Sequence, residues 1–527
     1  MKKTILANTL LLVAGASLMF SACTDKFEDF NTDPKAPTPD QMKEDYASTA
    51  SLINTMIPVM VLGQENDYQM IDQMIGYEYG RMTSAKNAWG SAQYYATYNP
   101  PVGWTGNCFD TNMPKMYTPY FMIRNITGSE GITYHWANLI RIFGTLRVSD
   151  CYGPLPFSKI GTGSDFAVAY DDMPELFTAM FAELDNAISG LKEELSKEGA
   201  AATAKSLFGT ADFIYQGDLQ KWLRLANSLK LRLAMRLVNV EPALAKQKAE
   251  EAVASPDGLI DSGSNAAWST FLPGGNSWHK TNILWGESRV SADIIAYMNG
   301  YNDPRLSKYA KPLADGSYNG LRSGIFNSSN NLVDMTLYSE PVVTQTSPLL
   351  CISGSESWFC RAEGALRGWN MGGTAKELYE EGVKVSMEER SAIIGNYLEG
   401  TDGPADYVDS DPAFQSRNIA APSTIAPKYD EGASFDENLE RIIVQKWLGN
   451  YPNGWETWAD FRRTGYPKFF PVVDNRSTDG VTDARGVRRL PFPQSEFNTN
   501  EANVKAAQGY LGGPDNTATD LWWALKN

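Results

Sequence analysis

Histidine is almost missing from this chain: His135 and His279 are the only two in 527 residues. A histidine-rich metal site and a His-centred nucleophilic triad are therefore both hard to assemble. Cysteine is also scarce. Cys23, Cys108, Cys151, Cys351 and Cys360 include no C-x-x-C pair, which excludes a zinc ribbon and a thioredoxin-like motif. Positive charge is in short supply, with 46 Lys and Arg against 62 Asp and Glu and a formal net charge of −16. That balance argues against nucleic acid as the main partner, because phosphate binding draws most of its affinity from Lys and Arg. A neutral ligand or a cation stays compatible. Beyond the N-terminus no run reaches the roughly 18 apolar residues of a membrane-spanning helix.

What is present begins at that N-terminus. Lys2 and Lys3 precede an apolar stretch from Ile5 to Phe20, interrupted by Asn8, Thr9 and small residues, the shape of a secretory signal. The stretch ends in Phe20-Ser21-Ala22-Cys23, the pattern of a bacterial lipoprotein signal, so residues 1–22 are expected to be removed and Cys23 to be acylated. More than one acyl chain holds a soluble domain stably on a bilayer. Behind Cys23, Pro34, Pro37 and Pro39 stand among Asp, Asn and Thr, a composition that predicts an extended tether over 23–40. Residues 41–527 are long enough for a large core. The other four cysteines either pair in an exported protein or stay as buried thiols, and the sequence leaves both open.

The strongest periodic segment is "GDLQKWLRLANSLKLRLAMRLV", where Leu219, Trp222, Ala226, Leu229, Leu233 and Leu237 recur at steps of three or four. Asp218 is its expected N-cap. With a second helix from about Pro242 to Ala254 it makes a helical hairpin. Three further hairpins have the same plan: "YHWANLIRIFGTLRVSDCYG" with "MPELFTAMFAELDNAISGLKEELSK", "ESWFCRAEGALRGW" with "TAKELYEEGVKVSMEE", and "DENLERIIVQKWLGNYP" with "GWETWADFRRTGY". Each first helix carries a tryptophan: Trp136, Trp222, Trp358 or Trp447. The expected fold is thus all-α, with about four hairpins of tetratricopeptide type at irregular spacing. Residues 85–120, 261–290 and 315–350 mix Gly, Asn, Ser, Thr and Pro with aromatics and predict long, functional loops with short strands.

Aromatics are abundant, with 14 Trp, 25 Tyr and 22 Phe, and many fall in those loops. The stretch from Asn66 to Trp104 offers Trp89, Tyr94, Tyr95, Tyr98 and Trp104 beside Asp67, Asn87 and Gln93. Rings for sugar C–H faces and polar groups for hydroxyls are what a preformed carbohydrate cleft needs. A second candidate holds Trp268, Trp278, His279 and Trp285, and Arg367 at a helix end offers a guanidinium. The competing expectation for each ring is that it pins a loop to the scaffold, and for Arg367 that it makes an ion pair. Glu356 and Glu363 share a helix face and suit acid/base work on a glycosidic bond, but pairing with Arg361 or Arg367 is the expectation. No catalytic residue is assigned. The loop "EGTDGPADYVDSDP" gathers Glu399, Asp402, Asp406, Asp409 and Asp411, oxygen ligands suited to calcium. It lacks EF-hand spacing and reads first as solvated acid, so no metal or cofactor is assigned.

Several stretches together resemble the SusD/RagB family of outer-membrane nutrient-uptake lipoproteins: Cys23 followed by Asp25, Glu28 and Asp29, "NTDPKAPT", "RVSDCYGPLPFSKI", "YQGDLQKWLRLANSLKLRLAMRL", "ESWFCRAEGALRGW", "RIIVQKWLGNYPNGWETWADFRRTGYPK" and "RRLPFPQSEFNTN". The "ANSLKLRLAMRL" form is similar to the second SusD-like subfamily. The resemblance implies four tetratricopeptide-like pairs, a loop-rich remainder bearing the ligand site, and a cell-surface, lipid-anchored lid on a SusC-like TonB-dependent transporter. It implies delivery of an oligosaccharide, without catalysis, and the acidic residues after Cys23 look like the surface-export signal. The ligand loops carry no shared motif, so substrate identity does not carry over. A RagB-like peptide-binding lid and a glycoside hydrolase are the alternatives.

Overall fold

The computed structural model describes residues 46–86, 93–162, 167–326 and 333–524. All four anticipated hairpins are present. Asn107–Thr127 (α1) leads into the first, Gly131–Tyr152 (α2) with Met173–Leu195 (α3). Leu219–Arg236 (α4) and Pro242–Val253 (α5) form the second, Glu356–Leu366 (α6) and Ala375–Glu389 (α7) the third, and Phe435–Gly449 (α8) and Gly454–Thr464 (α9) the fourth. Each hairpin packs on the next in chain order, the arrangement of a tetratricopeptide-like all-α stack.

Local chemistry fixes the helix ends. Asp172 accepts from Glu175 N at 2.9 Å and Asp218 from Lys221 N at 3.2 Å, while Thr374/Glu377 and Ser434/Glu437 form reciprocal capping boxes. Small residues set the closest approaches. A Cβ on Gly190 would stand 2.1 Å from His135 Nε2, so α2 and α3 can meet there only with glycine. The tryptophan of each first helix turns inward. Trp136, Trp222 and Trp447 are fully buried, with the rings of Trp136 and Trp222 5.3 Å apart and edge-on, while Trp358 is half-buried and donates to Asp261 O.

Buried charge crosses all four hairpins. Arg236 on α4 holds Asp150 of α2 at 2.9 Å and Glu456 of α9 at 2.6 Å. Arg232, one turn earlier, grips both oxygens of Glu356 on α6 at 2.7 and 2.8 Å. Lys446 on α8 bridges Glu456 and Asp460, each at 2.9 Å, and Arg463 joins Asp460 to Glu363. Forked contacts of this kind supply the geometry that ions need once they leave water. Glu356 and Glu363, the carboxylate pair with a catalytic reading, are thus held mainly by Arg232 and Arg463 from other hairpins, with Arg367 adding a second contact to Glu363.

Three short strands lie between hairpins two and three, and a fourth precedes α1. Thr83–Ala85 (β1) pairs antiparallel with Ser288–Val290 (β3), Thr83 facing Val290, and Ala267–Ser269 (β2) pairs with Leu349–Ile352 (β4). One expectation fails: residues 107–120 belong to helix α1 and not to a loop, although Pro114 and Pro119 lie inside it. Each proline removes one helical N–H, yet Met113, Met116, Tyr117 and Tyr120 are buried on the same helix, and that packing outweighs the local preference.

Candidate functional site

The β1–β3 ladder brings the two aromatic stretches together. It extends one residue past β1, where Lys86 N donates to Glu287 O at 3.1 Å. Two segments with widened, π-type turns converge on this junction: Tyr68–Tyr77 and Lys280–Leu284. Such turns are rare and concentrate at functional sites. Each continues a single α-turn, Glu65–Asp67 or Ser277–His279, that is opened by an amide cap. Gln64 Oε1 accepts from Asn66 N and Asp67 N, both at 3.0 Å, and Asn276 Oδ1 accepts from His279 N at 2.8 Å.

Side chains from both segments interlock. Gln69 Nε2 donates to Glu287 Oε1 and Oε2 at 2.6 and 2.7 Å, and Gln73 Nε2 reaches Oε2 at 3.3 Å. Lys280 pairs with Glu65 at 2.7 Å and lies 5.8 Å from the Trp285 ring centroid. Lys115 of α1 pairs with Asp67. Beside these groups, Leu284 and Trp285 are 65% and 42% exposed, two neighbouring large apolar side chains offered to solvent. An exposed ring with an ammonium group beside it, at a junction that also holds carboxylates and amides, can stack on an apolar face of a ligand and leave polar groups for its hydroxyls.

The electrostatics of the rim differ from group to group. Burial pushes the Glu287 carboxyl above its ordinary range, and the bonds from Gln69 and Gln73 offset only part of that rise. Its partners are amides, and among the described residues it has no cation in an ion pair. Glu65 goes the other way, lowered by the hydrogen bond from Lys280.

Of the residues anticipated for the site, Asp67 and Trp285 stand at this junction. Cys23, Asn87 and Trp89 lie outside the described residues; Trp89 follows Lys86 by three positions in the sequence. Tyr94 and Tyr95 are buried, the Tyr94 hydroxyl donating to Ala85 O at 2.7 Å and the Tyr95 ring packing 6.2 Å from Tyr79. Tyr98 accepts from Arg81 at 2.8 Å, and Trp104 is half-buried against the main core. Trp278 is buried between Tyr77 and Tyr451. Arg367 pairs with Glu363 at the end of α6. These side chains therefore hold loops and helix ends in place. Gln69, Lys280, Leu284 and Glu287 escaped notice, although Glu287 stands two residues beyond Trp285 and a carboxylate so near an exposed ring is itself a signal.

The acidic loop does not converge on an ion site. Asp409 is buried, accepts from the Tyr338 hydroxyl at 2.6 Å and pairs with Arg417, Asp406 accepts from Ala421 N, and Glu399 pairs with Lys428. Among the described residues no group of three or more His, Cys, Asp or Glu is placed to hold a metal ion. Cys108, Cys151, Cys351 and Cys360 are buried free thiols.

Comparison with known proteins places this architecture. Solved structures that match over 91% of this chain and 99% of their own include a SusD-like protein from Bacteroides thetaiotaomicron (36% identity, TM-score 0.84), a SusD homolog from Bacteroides uniformis (37%, 0.84) and a chitin-binding SusD homolog from Flavobacterium johnsoniae (34%, 0.85). No match was found among curated proteins. No helix of the described residues is long and apolar enough to cross a membrane. With residues 29–524 matched by the family model for SusD-like proteins, described as Susd and RagB outer membrane lipoproteins, the chain belongs to that family.

Proposed function

We propose that this protein is a noncatalytic, cell-surface lipoprotein that captures an oligosaccharide at the β1–β3 junction and hands it to a SusC-like TonB-dependent transporter in the outer membrane. In this reading Cys23 carries the lipid, residues 23–40 are the tether and residues 41–527 form the binding domain. The observation that carries it is the convergence of two π-type segments and an exposed tryptophan on one short sheet, with the Lys280 ammonium beside the ring. Trp285 and Trp89 supply stacking faces, while Asp67, Lys280 and Glu287 address hydroxyls. Tyr94, Tyr95, Trp104 and Trp278 brace the loops, and Arg367 serves the hairpin stack. Chitin binding by a relative of 34% identity supports a carbohydrate as the ligand class. Binding beside the pore raises the ligand concentration there, in the manner of any tethered module.

Calorimetric titration of the purified protein against a glycan panel and a mixed-peptide panel tests this. Saturable heat is expected from at least one glycan. Peptide affinity without a glycan signal overturns the reading, and so does release of shortened products, which would indicate a hydrolase. Cys23→Ser is expected to move the protein from the membrane to the soluble fraction.

A further inference from the structure

A second concavity lies on α1, apart from the β1–β3 junction. Its volume is about 530 Å³, within the range of ligand clefts, and it is bounded by α1, the loop after α2 and the short helix Gln494–Thr499. The floor is apolar and adaptable: Phe109, Met113 and Tyr117 come from α1, with Ile160 and Val168 opposite. Methionine and proline on such a surface fit irregular apolar side chains.

The rim offers acceptors. Asp110 and Glu496 both line the groove, and no lysine or arginine does. Asp110 Oδ1 accepts from the Ser495 hydroxyl at 2.5 Å. Glu496 Oε2 accepts from the Tyr170 hydroxyl at 2.8 Å and from Asn500 at 2.9 Å. Among the described residues neither carboxylate is in an ion pair, in contrast to the buried carboxylates of the hairpin stack. Pro114 also lines the groove, and because it has no N–H, the carbonyl of Asp110 lacks the donor that a helix gives at i+4. Three acceptors therefore surround an apolar floor without a cation.

We infer that this groove docks a protein segment that seats an apolar side chain on the Phe109–Met113–Tyr117 floor and places flanking lysine or arginine against Asp110 and Glu496. Charge complementarity selects this occupant. A sugar needs donors as well as acceptors for its hydroxyls, and here the Ser495 hydroxyl and the Asn500 amide already donate to Asp110, Glu496 and Val168. Anionic segments meet two uncompensated carboxylates and are rejected.

The test uses the full chain and a fluorescein-labelled octapeptide with a central Phe-Leu pair between lysines, read by anisotropy at about 0.15 M salt, where long-range attraction to the acidic protein is screened. Saturable binding is expected, with at least a tenfold loss in the Asp110→Asn/Glu496→Gln double variant, and a similar loss in Thr118→Trp, which fills the exposed rim of the groove. The counterpart with glutamates replacing lysines is expected not to bind. Removing two charges from a protein of net charge −16 barely changes non-specific attraction, so a tenfold loss reports the groove. No saturation up to about 1 mM, equal binding of both peptides, or affinity indifferent to both variants overturns the inference. Loss of glycan binding in these variants also overturns it, by making the groove part of the sugar site.

Discussion

The hairpin stack and the β1–β3 junction handle buried charge in opposite ways. In the stack, Glu356, Glu363, Glu456, Asp150 and Asp460 each meet a guanidinium or ammonium from another helix. At the junction, Glu287 is also buried yet its side chain meets only the amides of Gln69 and Gln73. Ion pairs with forked geometry lock a frame, and removing one partner strands the other. A carboxylate held by neutral donors keeps its negative field, which suits a surface that must still receive a ligand's donors.

The largest effect expected from breaking this contrast is in the stack. Arg236→Met leaves Asp150 and Glu456 without their shared partner and is expected to cost about 3–5 kcal/mol of stability, measured by urea unfolding. A loss below about 1 kcal/mol would mean that Lys446 and Arg232 suffice to neutralise Glu456 and that the network is redundant.

Acid separates the two regions next. Burial alone would raise the Glu363 carboxyl, but Arg463 and Arg367 outweigh it and hold it at about 2, below its ordinary 4.5. Its stabilisation is therefore complete above pH 4.5 and is lost as pH falls toward 2. Glu287 has a raised value, so its contribution is complete below 4.5 and declines as pH rises through the folded value. Hydrogen exchange at about pH 3 and about pH 6 is expected to show α6 amides losing protection in acid while the Lys86 amide gains it. Parallel changes would erase the proposed difference.

Smaller effects follow at the surface. Trp285→Ala is expected to weaken glycan binding about tenfold and leave the melting temperature unchanged, because the ring is 42% exposed. Unaltered affinity would move the site elsewhere. The least response is expected from the thiols. Cys351 and Cys360 are pushed up to about 12 by burial, so the native protein should resist iodoacetamide at pH 8 and react at all four described cysteines once denatured.

Much of the stack was legible in the sequence because amphipathic periodicity is local: Leu176, Met180, Leu184 and Leu191 mark the buried face of α3 by spacing alone. Of its ion pairs only the local one between Arg367 and Glu363 was legible, since Arg232 and Glu356 stand 124 positions apart and nothing local couples them. The site was less legible still. Three-residue strands leave no alternation to read, and π-type turns have no sequence period distinct from an α-helix over so short a span. Burial of loop aromatics was illegible for a related reason: composition does not tell a ligand platform from an anchor, and Tyr94 and Trp278 are buried in long loops that need anchors. Helix α1 was hidden by its two prolines.

The hairpins stack in chain order, while β2, β3, β4 and the exposed Trp285 all fall between the end of α5 at Val253 and the start of α6 at Glu356. The other half of the junction, the Tyr68–Tyr77 segment and β1, reaches it from ahead of α1. Arg232 grips Glu356 across the long excursion, so one buried ion pair clasps together the two hairpins between which the chain departs and returns.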